Sequence, residues 1–225
     1  MNRTLTTSLV LIPILQLGFG CASDTPTSTC PAPKGTEISN FEDGGNGVAQ
    51  IEGRNGGWYV YNDGTGKQQP AVGKVSPTEN GACESSFALR TTGVDFTEWG
   101  AGIGTDLATD KSNKKTAYDG SRYRGVRFYA RSGAGPIAVR VKIQDANTTP
   151  EGGICNDAMA LCNDAFGKDL MITADWQAYD VAFADTAQEG WGDKFSAVDG
   201  RRLFGIQIQT RTSPFDFAVD EMSFY

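Results

Sequence analysis

Apolar and polar residues alternate along several short segments of this chain, the pattern of strands with one buried face. Near the C-terminus, Ile206 and Ile208 alternate with Gln207 and Gln209. A period of two places successive side chains on opposite faces of a strand. The stretch 203–225 is therefore predicted to form two antiparallel strands joined by a turn, with the glutamines on a water-facing side.

The same alternation occurs in residues 126–131 and 137–143, which are predicted to pair as a hairpin. No stretch shows a sustained helical period, and the segments 145–168 and 188–200 are polar loops. About nine or ten short strands separated by turn residues predict an all-β fold, an antiparallel β-sandwich wired as a jelly roll. The remaining strand-like segments are 38–44, 57–61, 87–93, 99–107 and 176–183.

Composition narrows the classes of function. The chain has 225 residues, enough for one sizeable core, and a net charge of -7, which disfavours nucleic acid as a partner. It contains no histidine. This excludes Ser-His-Asp triads and metal sites that use imidazole, and leaves carboxylate chemistry, lysine or cysteine nucleophiles, oxygen-ligated metals, or binding without catalysis.

The N-terminus predicts export. A basic residue, an apolar run too short to span a bilayer and small residues before Cys21 form a signal peptide over residues 1–20. The small residues before this cysteine resemble a bacterial lipobox, so Cys21 is the predicted lipidation site, and an ordinary cleaved signal peptide is the alternative. Residues 21–36 are a Ser/Thr/Pro tether, and residues 37–225 form the domain.

The cysteine count supports lipidation at Cys21. Five cysteines are an odd number, and setting Cys21 aside leaves four for two disulfides in an exported protein. Three connectivities are open, and the short separation of Cys155 and Cys162 favours that local pair, which leaves Cys30 to pair with Cys83.

Several motifs, in their order and spacing, resemble carbohydrate-binding modules of the family 11 and family 4 type, which have a galactose-binding-like jelly roll. The resemblance spans residues 37–225. It rests on Phe41-Glu42-Asp43-Gly44, Trp99-Gly100-Ala101-Gly102-Ile103-Gly104, Tyr118-Asp119-Gly120-Ser121, Gly125-Val126-Arg127-Phe128-Tyr129-Ala130 and Val219-Asp220-Glu221-Met222-Ser223-Phe224-Tyr225.

The resemblance implies a structural Ca²⁺ between the first and last strands. Its side-chain ligands would be Glu42, Asp43 and Asp220, because calcium takes hard oxygen ligands. In the alternative interpretation, Asp43 belongs to a turn and Asp220 is a solvated strand residue.

The resemblance also implies a glycan site, on the concave sheet or at loop tips. Aromatic rings cover the apolar face of a sugar, and planar polar groups meet its hydroxyls. Trp58 is expected inside and the neighbouring tyrosines on the ligand side, although Trp99, Trp176 and Trp191 are also available. A merely solvated polar face is the alternative. The candidate ligand residues are Tyr59, Tyr61, Tyr129, Arg140, Lys142, Gln144, Gln207 and Gln209.

These observations favour a monomeric, non-catalytic glycan-binding module that meets the membrane only through a lipid anchor. A protein-binding adhesin or scaffold module is an alternative with the same fold. A glycoside hydrolase is a weaker one, because it needs two carboxylates across a cleft and no spacing selects a pair from Asp145, Asp157, Asp164 and Asp169.

Overall fold

The computed structural model describes Met1, Cys30, Ala32 and residues 35–225. Apart from Met1, the predicted signal peptide lies outside the described residues, and so does the predicted lipidation site Cys21. No helix within the described ranges is long and apolar enough to cross a bilayer.

The described residues form short strands and three single-turn 3₁₀ helices, Pro150–Gly152, Asp157–Met159 and Phe183–Asp185. Several of the strands have only two or three residues and carry no readable alternation, so sequence analysis missed them. The strands are β1 (Glu37–Ser39), β2 (Trp58–Asn62), β3 (Lys67–Gln69), β4 (Thr78–Glu79), β5 (Phe87–Val94), β6 (Ala101–Asp106), β7 (Ala108–Thr109), β8 (Lys115–Thr116), β9 (Gly125–Ser132), β10 (Ile137–Asp145), β11 (Phe166–Ile172), β12 (Gln177–Ala182), β13 (Leu203–Thr210) and β14 (Phe215–Phe224).

Two antiparallel sheets pack face to face. The five-stranded sheet has the order β11-β10-β13-β6-β2, and the seven-stranded sheet has the order β12-β9-β14-β5-β3, with β1 on β14 and β4 on β5. Strands β7 and β8 form a separate small ribbon. The predicted antiparallel β-sandwich is therefore present.

Two predicted pairings are wrong. Strands β9 and β10 do not form a hairpin, and neither do β13 and β14, because in each case one strand lies in each sheet. Alternation reports only that one face of a strand is buried. A strand that faces its successor across the core has the same pattern as one that pairs with it.

The core lies between the sheets and is built from the alternating positions. Ile103, Val141 and Ile208 of the five-stranded sheet are fully buried, as are Phe128 and Phe217 of the seven-stranded sheet. The alternate residues of β10 and β13 must then point away from the core, and this sets up the outer face of the five-stranded sheet.

Both predicted disulfides are present. Cys155 is joined to Cys162, with Cα atoms 5.2 Å apart, inside the polar loop after β10. Cys30 is joined to Cys83, with Cα atoms 5.7 Å apart, which ties the start of the domain to the loop before β5. Two disulfides in a chain of this kind fit an exported protein.

A buried arginine lies at the edge of the core. Arg54 is 1% exposed, and its guanidinium donates to the hydroxyl of Tyr118 at 2.6 Å and to the carbonyl oxygen of Glu37 at 2.8 Å. Since Glu37 begins β1, this arginine fastens the first strand to the rest of the domain.

Candidate functional site

A groove of about 470 Å³ lies on the outer face of the five-stranded sheet. An adjoining hollow of about 280 Å³ shares Gln209 and Arg211 with it and extends towards β11. We call the larger depression the groove. It is lined by Tyr61, Trp99, Lys142, Asn163, Glu189, Trp191, Gln207, Gln209 and Arg211.

Strand register brings the polar side chains together in two rows across the sheet. Residues opposite one another on neighbouring strands share a face, so each row runs perpendicular to the strands. The first row is Tyr59, Gly104, Gln207, Lys142 and Gly167. The second row is Tyr61, Gly102, Gln209, Arg140 and Asp169.

Two glycines of β6 make room for the tyrosines. A methyl group on Gly104 would lie 2.7 Å from Cζ and Oη of Tyr59, and one on Gly102 would lie 2.8 Å from the same atoms of Tyr61. A real Cβ atom does not approach other atoms this closely. The two rings therefore lie across strand β6, and only glycine permits this arrangement.

Aromatic rings remain accessible beside these rows. Trp99 stacks on Tyr61, with ring centroids 5.9 Å apart and planes inclined by 26°. Trp99 is 42% exposed and Trp191, in the loop before β13, is 50% exposed. Trp58 is buried against Phe41, as the alternation in β2 predicts. The groove thus offers ring surface to a ligand while the indole of β2 belongs to the core.

Both glutamines of β13 are held in place through their amide nitrogens. Gln209 donates from Nε2 to the carbonyl oxygen of Trp99 at 2.6 Å, and Gln207 donates from Nε2 to the hydroxyl of Tyr59 at 3.0 Å. Among the described residues, no hydrogen bond uses the Oε1 atom of either side chain. Each amide therefore positions an aromatic residue and keeps an acceptor for a ligand.

The wall that carries Trp191 is fixed by a buried carboxylate. Asp164 is 2% exposed and accepts hydrogen bonds from the backbone N–H groups of Glu189 at 2.9 Å, Gly190 at 2.8 Å and Gly192 at 3.1 Å. Three N–H donors satisfy most of the hydrogen-bonding capacity of the carboxylate. The loop is thus shaped by contacts with a residue far away in the chain.

The disulfide loop supports the same wall from behind. The backbone N–H of Asn156 donates to the carboxylate of Asp193 at 2.7 Å, and the N–H of Asp193 donates to the carbonyl oxygen of Leu161 at 3.0 Å. Since Cys155 and Cys162 bracket both contacts, the disulfide restricts the segment on which the Trp191 loop rests.

Most charges around the groove are paired. Arg211 contacts Glu189 at 2.9 Å, and Arg140 contacts Asp169 at 3.1 Å and donates to the carbonyl oxygen of Ala187. Lys142 has no carboxylate within 4.0 Å among the described residues, and burial lowers the pKa of its ammonium group.

The structure brings most of the predicted ligand residues onto one face and separates one. Tyr61, Lys142, Gln207 and Gln209 line the groove, and Arg140 lines the adjoining hollow. Tyr59 and Gln144 lie on the same face but are held by neighbours, since the hydroxyl of Tyr59 donates to Oε1 of Gln144 at 3.4 Å.

Tyr129 requires a correction. It lies on β9, opposite Ala178 of β12 and Asp220 of β14, in the seven-stranded sheet. The expected proximity depended on pairing between β9 and β10, which belong to different sheets. Tyr129 is therefore not part of the groove.

Three polar residues of the groove were missed by sequence analysis. Asn163, Glu189 and Arg211 all lie in connecting segments, where no periodicity indicates which way a side chain points. The sequence did not show which side Trp99 and Trp191 face; the available signal was their turn-like surroundings, with Trp99 directly before Gly100 and Trp191 between Gly190 and Gly192.

The acidic residues predicted to bind calcium come together only in part. Glu42 accepts from the hydroxyl of Ser85 at 2.8 Å, and Asp220 accepts from the backbone N–H groups of Ala82 and Glu221, each at 2.8 Å. Burial, with the charge of Glu42, raises the pKa of Asp220 to about 6. Asp43 instead accepts from the backbone N–H of Gly45 at 2.8 Å. Within the described part of the chain, no group of three or more acidic or cysteine side chains is arranged to hold a metal ion.

No protein-family model and no curated protein sequence matches this chain. Solved structures do match. A family 11 carbohydrate-binding module of the cellulosomal cellulase Lic26A-Cel5E of Clostridium thermocellum is 14% identical, with a TM-score of 0.52, over 86% of this chain and 95% of that one.

Two further structures from the same organism agree with the first. A family 11 module in complex with a β-1,3-1,4-mixed-linked tetrasaccharide is 13% identical, with a TM-score of 0.51, over 74% of this chain and 87% of that one. A family 30 module of the cellulosomal cellulase Cel9D-Cel44B is 15% identical, with a TM-score of 0.51, over 75% of this chain and 90% of that one. The predicted jelly-roll sandwich is confirmed, and the resemblance to family 11 modules holds at the level of the fold.

Proposed function

We propose that this protein is a non-catalytic module that binds a glycan chain in the groove of the five-stranded sheet. The observation that carries the proposal is the exposed ring surface of Trp99 and Trp191 beside the free amide oxygens of Gln207 and Gln209. Rings cover the apolar face of a sugar, and amide oxygens accept from its hydroxyl groups.

The shape of the site favours a chain over a single sugar. The groove and the adjoining hollow follow the row from Tyr61 on β2 to Asp169 on β11. Five strands at a spacing of about 4.8 Å give a path of about 19 Å. An open path of this length accommodates several consecutive sugar residues along a soluble polysaccharide.

The mixed-linked tetrasaccharide bound by the family 11 module suggests the first ligands to test. At 13% identity, the ligand of that module cannot be assigned to this protein, so β-glucans, xylans and galactans belong in the same panel. Fold similarity supports a binding module in general, and the groove of this chain supports a glycan ligand in particular.

The arrangement of carboxylates supports binding without hydrolysis. Glycoside hydrolysis needs two carboxyl groups facing each other across the scissile bond. Among the described residues, Glu189 is the only carboxylate that lines the groove, and it is paired with Arg211. Asp169 is paired with Arg140, and Asp164 is occupied by backbone donors.

The proposal includes a structural calcium ion and a lipid anchor. Glu42 follows the first strand and Asp220 lies in the last, close enough for the charge of Glu42 to raise the pKa of Asp220, and the two would supply the carboxylate ligands of the ion. The two disulfides support export, and Cys21 would carry the lipid. Mass spectrometry of the mature N-terminus tests acylation.

Affinity electrophoresis of the purified protein through polysaccharide gels tests the function. Retardation by at least one polysaccharide, abolished by an excess of the matching soluble oligosaccharide, is the expected result. Chelator should lower the melting temperature if calcium is bound. A protein with an intact fold that no gel retards would contradict glycan binding and favour a protein-binding module.

A further inference from the structure

The groove contains a positive charge that no carboxylate neutralises. Arg211 is paired with Glu189, and Arg140 with Asp169. Lys142 is the remaining cation of the lining, and no carboxylate lies within 4.0 Å of its ammonium group among the described residues. Lys142 is half-buried on β10, in the row between Gln207 and Gly167.

The surroundings of Lys142 provide little compensation for its charge. Arg140 and Arg211 add positive charge, whereas Glu189 and Asp164 add negative charge. Both of these carboxylates already have donors, Glu189 from Arg211 and Asp164 from three backbone N–H groups. The ammonium group is therefore partly stripped of water without gaining an ion pair.

A neutral ligand would increase the desolvation of Lys142 without supplying an opposite charge. A sugar chain lying over the groove removes more water from Lys142, and desolvating a charge is costly unless an opposite charge replaces the water. A hydroxyl group offers one dipole, whereas a carboxylate or sulfate offers a full negative charge and several acceptor oxygens. In the proposed complex, the acceptors of Gln207 and Gln209 would serve the hydroxyl groups of the sugar.

We propose that the groove binds an acidic glycan, in which the carboxylate of a uronic acid or a sulfate ester pairs with the ammonium group of Lys142. The inference rests on the proposed glycan function and narrows its ligand class. The aromatic rings and amides bind the sugar ring and hydroxyls, and Lys142 selects for the anionic group.

The test compares an acidic polysaccharide with its neutral counterpart and with a sulfated polymer. The purified protein is run through gels containing sodium polygalacturonate, the same polymer after chemical reduction of its carboxyl groups, and a sulfated galactan. We expect retention by an anionic polymer to be about tenfold stronger than by the reduced polymer, the size of one charge-assisted hydrogen bond. The carboxylate and sulfate gels distinguish the two sources of the anion.

Three variants assign the preference to the lysine. Lys142→Met should remove the preference, and Lys142→Arg should keep most of it. Lys67→Met is the matched control, because it removes the same charge from β3 in the seven-stranded sheet. Circular dichroism establishes that each variant is folded.

The outcomes separate this inference from the proposed function. If the native and reduced polymers retain the protein equally, the acidic ligand class is wrong while glycan binding stands. If Lys142→Met keeps the preference for the anionic polymer, the pairing of the anion with Lys142 is wrong. If no polysaccharide of any charge retains the folded protein, both the inference and the proposed function fail.

Discussion

Replacing Trp99 with alanine should weaken glycan binding without unfolding the domain. The side chain stacks on Tyr61, and its backbone carbonyl, not its ring, accepts the hydrogen bond from Gln209. The variant therefore removes ring surface from the groove while the contact that holds the turn remains.

The expected loss of binding free energy follows from the exposed fraction of the Trp99 ring. A tryptophan side chain offers at most about 250 Å², and Trp99 is 42% exposed, so that about 100 Å² is available to a ligand. At about 25 cal/mol per Å², full coverage would contribute about 2.5 kcal/mol. Coverage of half that area corresponds to about 1.2 kcal/mol, close to a tenfold increase in Kd.

Isothermal titration calorimetry with the oligosaccharide identified by the gel panel measures this change. Trp176→Ala is the matched control, because Trp176 packs against Arg131 of the seven-stranded sheet, with the guanidinium carbon 5.1 Å from the ring centroid. Trp99→Ala with an unchanged Kd, or an equal loss in both variants, would refute the assignment of the groove.

Three other changes test the structure around the groove. Gly102→Ala should lower the free energy of unfolding by about 1–3 kcal/mol and weaken binding, because the new methyl group overlaps a tyrosine ring and a backbone carbonyl; Gly47→Ala, with open space around it, is the control in urea denaturation. Asp164→Ala should weaken binding in calorimetry by releasing the Trp191 loop, whereas the exposed Asp157→Ala should not, and equal effects would argue against a shaped wall. Arg54→Met should cost about 2–4 kcal/mol in the same urea assay, because a buried hydroxyl and carbonyl groups lose their charged donor; a neutral result would mean that water replaces it.

The existence and the buried face of the longer alternating strands were predictable from the sequence, whereas the shortest strands, β11 and the partner of each strand were not. Burial of Ile206 and Ile208 and the outward position of Gln207 follow directly from a period of two. The choice of sheet for β9 and β10 depends on which strands lie beside them in space. Their short connection can lead either to the neighbouring strand or to the opposite sheet.

The site was predictable where it lies on strands. The alternation within β10 and β13 places Lys142 and Gln209 on the same face of the sheet. Glu189 and Arg211 also line the groove, but they lie in connecting segments whose shape depends on distant contacts. The Trp191 loop takes its form from Asp164, more than twenty residues earlier in the chain. Interactions of this range leave no periodic trace in a single sequence.

The disulfide loop behind the Trp191 wall makes the shape of the groove depend on oxidation state. Closing the short loop between Cys155 and Cys162 removes chain entropy equivalent to about 2.5 kcal/mol in the chain-entropy model. The contacts of Asn156 and Leu161 with Asp193 depend on the geometry of that loop. A newly made, reduced chain would therefore have its strands and rows of side chains before it has a fixed groove, and ligand affinity would rise as the thiols are oxidised.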